Sequence, residues 1–433
     1  MNRLAIQGGH LVDPASNRDG PADLFIADGT VVAVDTPPAG FTPDRRIDAA
    51  GCIVLPGLVD LSAHLREPGA SRKGGIVSEA RAAAAGGITT LVCPPCTTPV
   101  MDTPSVVELV HSRAHEAQAA RVAPLGALTQ GLEGEHLAEM AALRDAGCPA
   151  MADGGRPVSH TLVLRRALDY AATFSLPVVL TPEDPHLAAG GRVHEGETAT
   201  RRGLPGQPAA TETAELSRIL ALVEETGARV HFARISTGRG AELVAEARLR
   251  KLPVTADVAI HQLYFTDLDT VEYDTAAHVR PPFRTQTDRD ALRRAVADGV
   301  ISAVCSDHQP HDPDAKACPF ADSEPGISGV ETLLALTLRL VDDGLLPLTE
   351  AIRRLTHGPA GCLGLEAGTL APGAPADLTV ADPQAVWRVT AEEMLSRGRN
   401  TPFLGWELTG RAVTTVVGGQ VVHPPRPPVS YHR

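Results

Sequence analysis

Aromatic side chains and long apolar runs are scarce in this chain. Phe, Trp and Tyr together make up only 3% of the 433 residues, so alanine, valine and leucine must build the core. No run of about eighteen apolar residues is present, as a transmembrane helix would need. The N-terminus also lacks the apolar core of a signal peptide. We therefore expect a cytoplasmic protein that has no membrane partner.

Net positive charge and paired cysteines are missing as well. The formal net charge is -13 at pH 7, which gives no electrostatic reason to bind nucleic acid. The seven cysteines are odd in number and scattered, as is typical of reduced thiols. Cys93 and Cys96 have a redox-like spacing, but no second pair accompanies them, so redox or metal chemistry has little support there.

The chain does contain a repeated alternation of short apolar strands with helices rich in Ala, Leu, Glu and Arg. This alternation is typical of the α/β class, and eight strands are enough to close a (β/α)8 barrel. The predicted strands are 54–61, 88–92, 122–125, 149–152, 178–180, 228–232, 254–256 and 301–305. The clearest predicted helices are 105–120, 160–173, 209–226 and 239–250.

One stretch, Asp60-Leu-Ser-Ala-His-Leu-Arg-Glu-Pro-Gly69, places polar residues directly after the first of these strands. In a barrel, side chains at the carboxyl ends of the strands converge on the ligand. Two imidazoles one residue apart on the same side of a strand would bind a metal. Only His64 is present, however, and Ser62 occupies the other position. A lone histidine at a strand end is also compatible with a purely structural role.

This stretch resembles the Asp-x-His-x-His-x-Arg-x-Pro-Gly signature of the dihydroorotases, a branch of the amidohydrolase superfamily. Arg66, Pro68 and Gly69 match the signature, whereas Ser62 replaces its first metal-binding histidine. The resemblance runs almost end to end, and it is closest to the non-catalytic dihydroorotase-like subunit associated with aspartate carbamoyltransferase. It implies a (β/α)8 TIM barrel at residues 53–365. Residues 1–52 and 366–433 would pair into a small composite β-sandwich domain.

The same resemblance implies that other metal ligands of the family are replaced in this chain. The family's aspartate after strand four corresponds to Gly154, although a slip of one residue would make it Asp153. The histidines that follow strands five and six in the family correspond to Thr181 and Arg234. A carbamylated lysine bridge, which hydantoinase-like relatives use, is not expected because no lysine lies at the end of strand four.

Strand eight keeps the family pattern. The run Ser306-Asp-His-Gln-Pro-His311 resembles the family's Asp-His-Ala-Pro-His, in which the aspartate is both metal ligand and general base. The resemblance therefore implies that Asp307 is the residual general base and that His64 and Asp307 are the residual metal ligands. The positions at which the resemblance implies substrate contact are Arg66, Cys96, Arg280 and His311.

These replacements have a physical consequence for catalysis. Hydrolysis of a cyclic amide near neutral pH needs a metal-bound hydroxide, because the pKa of water must fall from about 16 to about 7. A catalytic zinc takes three protein ligands, and the permanent charge of Arg234 would repel it. We therefore expect no bound cofactor. We also expect Arg234 to pair with Asp307, since an unpaired buried carboxylate costs several kcal/mol.

The resemblance implies a role in de novo pyrimidine biosynthesis, as a non-catalytic, homo-oligomeric subunit that supports the aspartate carbamoyltransferase catalytic subunit. One alternative is an active dihydroorotase that converts dihydroorotate to N-carbamoyl-aspartate with a single zinc on His64, Asp307 and Asp153. A second alternative is a barrel that senses a pyrimidine intermediate through Arg66 and His311.

Overall fold

The computed structural model describes residues 3–423, which fold into a barrel and one large β-sheet. Residues 1–2 and 424–433, which belong to the predicted sandwich domain, lie outside the described residues. Across the described range, no helix combines the length and apolarity needed to cross a membrane.

The strands of the described residues follow one another along the chain as listed here by label and bounds: β1 (Arg3–Asp13), β2 (Arg18–Ala27), β3 (Thr30–Val34), β4 (Arg45–Asp48), β5 (Ile53–Pro56), β6 (Leu58–Asp60), β7 (Ile88–Cys93), β8 (Arg121–Pro124), β9 (Gly126–Ala127), β10 (Met151–Ala152), β11 (Val178–Leu180), β12 (Val193–His194), β13 (Gly206–Gln207), β14 (Val230–Phe232), β15 (Val254–Ala259), β16 (Ala303–Cys305), β17 (Leu378–Arg388), β18 (Glu407–Val417) and β19 (Gln420–His423).

The α-helices alternate with the central strands, and the last three follow the final barrel strand. They are α1 (Ile76–Ala85), α2 (Pro104–Ala117), α3 (Met140–Asp145), α4 (Thr161–Thr173), α5 (Glu197–Arg202), α6 (Ala210–Thr226), α7 (Gly238–Leu249), α8 (Gln286–Ala297), α9 (Leu333–Asp342), α10 (Leu348–Leu355) and α11 (His357–Leu363). The four helices predicted most clearly, now α2, α4, α6 and α7, are confirmed with ends that shift by at most a few residues.

The large sheet joins the two ends of the chain. Its strand order is β19-β18-β17-β5-β1-β2-β3, with β4 paired to β1. The N-terminal and C-terminal segments meet where β5 pairs antiparallel with β17. One apolar face of the sheet buries a separate cluster that includes Leu4, Ile6, Leu24 and Val416. The two chain ends therefore form one β unit beside the barrel, as the sequence predicts.

The barrel contains all eight predicted strands in parallel. They are β6, β7, β8 with its continuation β9, β10, β11, β14, β15 and β16. Closure between the last and first strands comes from the His64 N–H, which donates to the His308 carbonyl at 2.8 Å, and from the His308 N–H, which donates to the Ser62 carbonyl at 3.0 Å. The carboxyl end of strand eight is therefore bonded directly to the signature stretch, and the predicted fold class is confirmed.

One predicted strand differs from the structure. The expected strand 54–61 is two elements, because Ile53–Pro56 pairs in the large sheet and the barrel strand begins only at Leu58. Gly57 separates the two, and a Cβ at this residue would lie 2.1 Å from Thr89 Oγ1. The chain thus crosses from sheet to barrel where only a glycine fits, and an apolar run alone does not reveal that crossing.

Candidate functional site

Asp307, at the end of β16, is the centre of the barrel mouth. It is only 1% exposed, and its Oδ1 accepts hydrogen bonds from Ser62 Oγ and Arg234 Nη1, both at 3.1 Å. Gln309 Nε2 lies 3.3 Å from Oδ1 and 3.4 Å from Oδ2. Side chains from three strand ends therefore hydrogen-bond to the carboxylate that would otherwise be available to coordinate a metal ion.

The ion pair between Arg234 and Asp307 confirms the prediction made from the sequence. Burial is the largest single effect and raises the pKa of Asp307, but the positive charge of Arg234 together with His261, His64 and the Gln309 hydrogen bond outweighs it, so the pKa lies below its ordinary value. Burial likewise opposes the charged form of Arg234, yet the nearby Asp307 raises the pKa of the guanidinium. Both groups stay ionised, so a fixed cation neutralises the carboxylate.

A chain of hydrogen bonds continues from Arg234 across the mouth. Arg234 Nη2 donates to Thr181 Oγ1 at 3.1 Å, and Thr181 Oγ1 donates to Asp153 Oδ1 at 3.1 Å. Asp153 is 3% exposed and also accepts from the backbone N–H groups of Gly155 and Thr181. Burial raises its pKa to about 6. The hydroxyl and guanidinium that replace two histidines therefore form a closed polar network.

Gly154, unlike Asp153, has mainly apolar neighbours. Its φ of +59° lies in the left-handed region, and a Cβ there would lie 3.0 Å from Leu132 Cδ1. Leu132 is itself 5% exposed. The position that the resemblance assigns to a lost aspartate is thus packed against apolar side chains of the mouth.

His64 faces a second part of the mouth. Its Nδ1 lies 3.4 Å from Cys96 Sγ, and burial, followed by the charge of Arg66, lowers the pKa of the imidazole well below its ordinary value. His64, Arg66 and Cys96 line one cavity of about 60 Å³. Three predicted site residues therefore meet, in a space well below the roughly 300 Å³ of small-molecule pockets.

The remaining two predicted substrate positions have intramolecular partners. His311 Nε2 lies 3.1 Å from Arg66 Nη2 and 3.0 Å from the Pro325 carbonyl oxygen, and burial lowers the pKa of His311 to about 4. Arg280 is about half exposed, at 52%, and pairs with Glu183. The structure joins His311 to the mouth through Arg66, whereas Arg280 does not line the cavity beside His64.

Comparison with known proteins agrees with this barrel. A family model described as dihydro-orotase-like matches residues 51–239, and a model of the amidohydrolase family matches residues 196–423. A dihydroorotase-like protein of Pseudomonas aeruginosa is 52% identical and covers 97% of this chain and 99% of its own. A dihydroorotase of Syntrophotalea carbinolica is 44% identical with 97% and 99% coverage. The chain belongs to the dihydroorotase-like branch of the amidohydrolase family.

The fold is also that of a solved relative in this superfamily. The chain is similar to L-hydantoinase (dihydropyrimidinase) from Arthrobacter aurescens, with a TM-score of 0.87, 26% identity, and coverage of 99% of this chain and 98% of that chain. These amidohydrolases combine a TIM barrel with a β-sandwich domain, so the predicted family and fold class are both confirmed.

Amidohydrolases of this fold imply a catalytic metal, but the residues of this chain do not fit one. Within residues 3–423, no three His, Cys, Asp or Glu side chains converge closely enough to hold a metal ion. Arg234 places a permanent cation 3.1 Å from the Asp307 carboxylate, where it would repel a divalent ion. Within the described residues, the barrel mouth of this dihydroorotase-like chain therefore lacks the ligand set that a catalytic metal needs.

The sequence interpretation missed one residue of the mouth. His261 is 1% exposed, and neither of its ring nitrogens has a hydrogen-bond partner within the described part of the chain. Its ring packs edge-on against Phe283, with centroids 5.7 Å apart, and burial lowers its pKa to about 4. The segment from Asp257 to His261 resembles the corresponding family segment, and this resemblance was the signal that could have identified His261. The burial of the His261 side chain could not be predicted from the sequence.

Three strand-end residues of the mouth share a strained backbone. Arg66, Arg234 and Asp307 have φ values of +61°, +60° and +45°, in the left-handed region that side chains rarely adopt. Such conformations persist where surrounding contacts hold them, and they are common at functional sites. The backbone geometry of a binding site thus remains, although the side chains now bond to one another.

Proposed function

We propose that this dihydroorotase-like protein is a non-catalytic component of de novo pyrimidine biosynthesis that supports aspartate carbamoyltransferase. The main support for a non-catalytic role is the ion pair between Arg234 and Asp307, which are 3.1 Å apart at the centre of the mouth. The partner rests on the resemblance of the chain to the non-catalytic subunit. The homo-oligomeric state and the cytoplasmic location remain predictions.

The electrostatics of Asp307 support the absence of hydrolysis. A general base works best when its pKa lies near the operating pH, and the pKa of Asp307 lies below even its ordinary value. Its Oδ1 already accepts hydrogen bonds from Ser62, Arg234 and Gln309. The Asp307 carboxylate is therefore a poor base for deprotonating water at this site.

The preserved architecture supports a scaffold. His308, beside Asp307, bonds through Nε2 to Glu79 at 3.0 Å, and Ser396 Oγ donates to the same Glu79 oxygen at 2.6 Å. This fully buried network ties the last barrel strand to α1 and to the segment after β17. A barrel that has lost its ligands but keeps such ties can still present a rigid outer surface to a partner.

Metal content tests the first half of the proposal. We expect the protein, purified without chelators, to contain far less than one zinc per chain and to show no turnover of dihydroorotate. Ser62→His alone should restore neither, because catalytic groups that act as a unit are non-additive. Stoichiometric zinc with turnover would instead support the active enzyme on His64, Asp307 and Asp153.

Co-expression with the aspartate carbamoyltransferase of the same organism tests the second half. We expect the two to co-elute, because a stable interface should bury at least about 1,000 Å² and so survive chromatography. We also expect the carbamoyltransferase to be less active or less stable when it is expressed alone. Cys96→Ala, a change inside the mouth, is the matched control and should leave co-elution unchanged. Independent elution with equal activity would reject the scaffold and favour the sensing of a pyrimidine intermediate.

A further inference from the structure

A second cavity lies at the amino-terminal end of the barrel, on the opposite side from the mouth. Its volume is about 260 Å³, and Val230 and Val254, the first residues of β14 and β15, line it together with the end of α7 and part of α11. Barrel enzymes bind their substrates at the carboxyl ends of the strands. Among the described residues, none from the mouth lines this cavity, so it is a separate feature of the molecule.

The polar side chains of this cavity can all donate hydrogen bonds. They are the exposed Arg229 and Arg248, the half-buried Thr255, and the thiol of Cys362, which is only a weak donor. Within residues 3–423, no Asp or Glu side chain lines the cavity. A cleft that combines positive charge with an absence of carboxylates attracts anions, although the whole chain has a net charge of -13.

The two arginines differ in the contacts that they already make. Arg248 Nη1 donates to the carbonyl oxygens of Gly299 and Val300, both at 2.6 Å. Arginines near the C-terminal ends of helices often satisfy carbonyl groups in this way, so Arg248 has a structural role as well. The Arg229 guanidinium has no ion-pair or hydrogen-bond partner among the described residues. Arg229 can therefore donate to a ligand without giving up a contact within the protein.

The hydroxyl of Thr255 is oriented by a buried histidine. His231 Nε2 lies 2.8 Å from Asp257 Oδ2, and His231 Nδ1 lies 2.8 Å from Thr255 Oγ1. Burial acts to lower the pKa of His231, but the nearby Cys362 and the hydrogen-bonded Asp257 raise it to about 10. The protonated imidazole therefore donates from both nitrogens, to Asp257 and to Thr255. Because Thr255 Oγ1 accepts this bond, its own hydrogen remains available to a ligand in the cavity.

We propose that this cavity binds a small organic anion through a phosphate or carboxylate group, with Arg229, Arg248 and Thr255 as the donors. The oxygens of such a group accept several hydrogen bonds at once, and the planar guanidinium of arginine matches their geometry. The side chains of Leu252 and Pro253 also line the cavity and would contact the carbon part of the ligand. The site does not depend on the proposed scaffold role, because it uses neither the mouth nor a partner protein.

Isothermal titration calorimetry of the whole chain tests the proposal with three probes. Phenyl phosphate and benzoate each join an oxyanion to a small apolar ring, whereas benzamide carries the ring without the charge. We expect at least one of the two anions to bind with a dissociation constant of about 5 mM or lower, and benzamide to bind at least about tenfold more weakly. The anion that binds more tightly shows whether the site prefers a phosphate or a carboxylate. Absence of binding by both anions, or equal affinity for benzamide, would overturn the proposal.

Matched variants test whether the anion binds in this cavity. Arg229→Gln should weaken its binding about tenfold, because a hydrogen bond to a charged group is lost. Arg166→Gln removes the same charge from an exposed position on α4 and should change the affinity little. Gly361→Leu keeps both arginines but fills the cavity, since Gly361 lines it and nothing lies within 4 Å of a Cβ there. This variant should also lose binding.

Thermal unfolding checks that the variants fold. Arg229 is exposed, and leucine is a better helix former than glycine within α11, so both changes should be tolerated. An affinity that Arg229→Gln leaves unchanged, or that Arg166→Gln lowers equally, would place the anion elsewhere and contradict the proposal, as would full binding by a folded Gly361→Leu. If Gly361→Leu does not fold, the comparison of the two arginine variants decides.

Discussion

At the scale of single residues, Arg234 explains most of the barrel mouth. Its guanidinium bonds to Asp307 on one side and to Thr181 on the other, and its backbone N–H donates to Asp257 Oδ1 at 2.7 Å. A point cation could not make these directional bonds, whereas the planar fork of arginine can. One side chain therefore stabilises three strand ends at once.

Arg234→His, which restores the family residue, should destabilise the fold and restore no activity. The shorter imidazole leaves Asp307 buried without a compensating charge, and breaking a buried pair in this way costs about 3–5 kcal/mol. Urea denaturation measures the free energy of unfolding. Arg239→His, at an exposed position on α7, is the control and should change little. Wild-type stability in Arg234→His would contradict this account of the mouth.

At the scale of elements, the crossing from β5 to β6 positions the signature stretch. The chain leaves the large sheet at Pro56 and enters the barrel at Leu58, so Gly57 is the only residue between the two. The Gly57 N–H donates to the Asp377 carbonyl at 2.9 Å and the Leu58 N–H to the Gly87 carbonyl at 3.1 Å. The backbone approaches β7 closely there, and the direction of β6 follows from it.

Gly57→Ala should therefore destabilise the protein by at least the roughly 1–3 kcal/mol of ordinary overpacking. The added methyl would lie 2.1 Å from Thr89 Oγ1 and 2.6 Å from Thr89 Cβ, so the side chain or the strand must move. Gly20→Ala in β2 is the matched control, because nothing lies within 4 Å of its Cβ position. Thermal unfolding of both variants gives the comparison, and equal melting temperatures would refute the close approach.

At the scale of the whole molecule, buried histidines determine how stability depends on pH. Burial lowers the pKa of His261, His278 and His311 to about 4, and it lowers that of His64 well below its ordinary value. Each histidine whose pKa is lower in the folded state than in the unfolded state favours folding above about pH 6.5. This contribution is lost as the pH falls towards 4, because the unfolded state then binds the proton more readily. Asp60 and Asp153 oppose the trend, since burial raises their pKa to about 6 and they favour folding at low pH.

Burial also raises the pKa of Glu212 and Glu331 and lowers that of His111, His194 and His423. The lowered histidines still outnumber the raised carboxyl groups, so the free energy of unfolding should fall between pH 6.5 and 5. His261→Phe should reduce the proton uptake on unfolding by about one proton, because its unbonded ring packs against Phe283 and a phenyl ring can replace it. Urea denaturation at several pH values measures both slopes. An unchanged slope in the variant would show that His261 does not titrate as its burial implies.

The amino-acid sequence by itself determined the barrel strands, the family and the residues that stand at the family's metal-ligand positions, because apolar runs and motif residues are local properties. It also led to the Arg234–Asp307 pair, since strand ends of a barrel must converge. Only the tertiary structure decided that Arg280 pairs with Glu183, that β5 leaves the barrel and that the ring nitrogens of His261 have no hydrogen-bond partner within the described residues. The physical reason is that such contacts join residues far apart in the chain. The periodicity of side chains predicts which residues share one face of a helix or strand, but it does not predict which other element packs against that face.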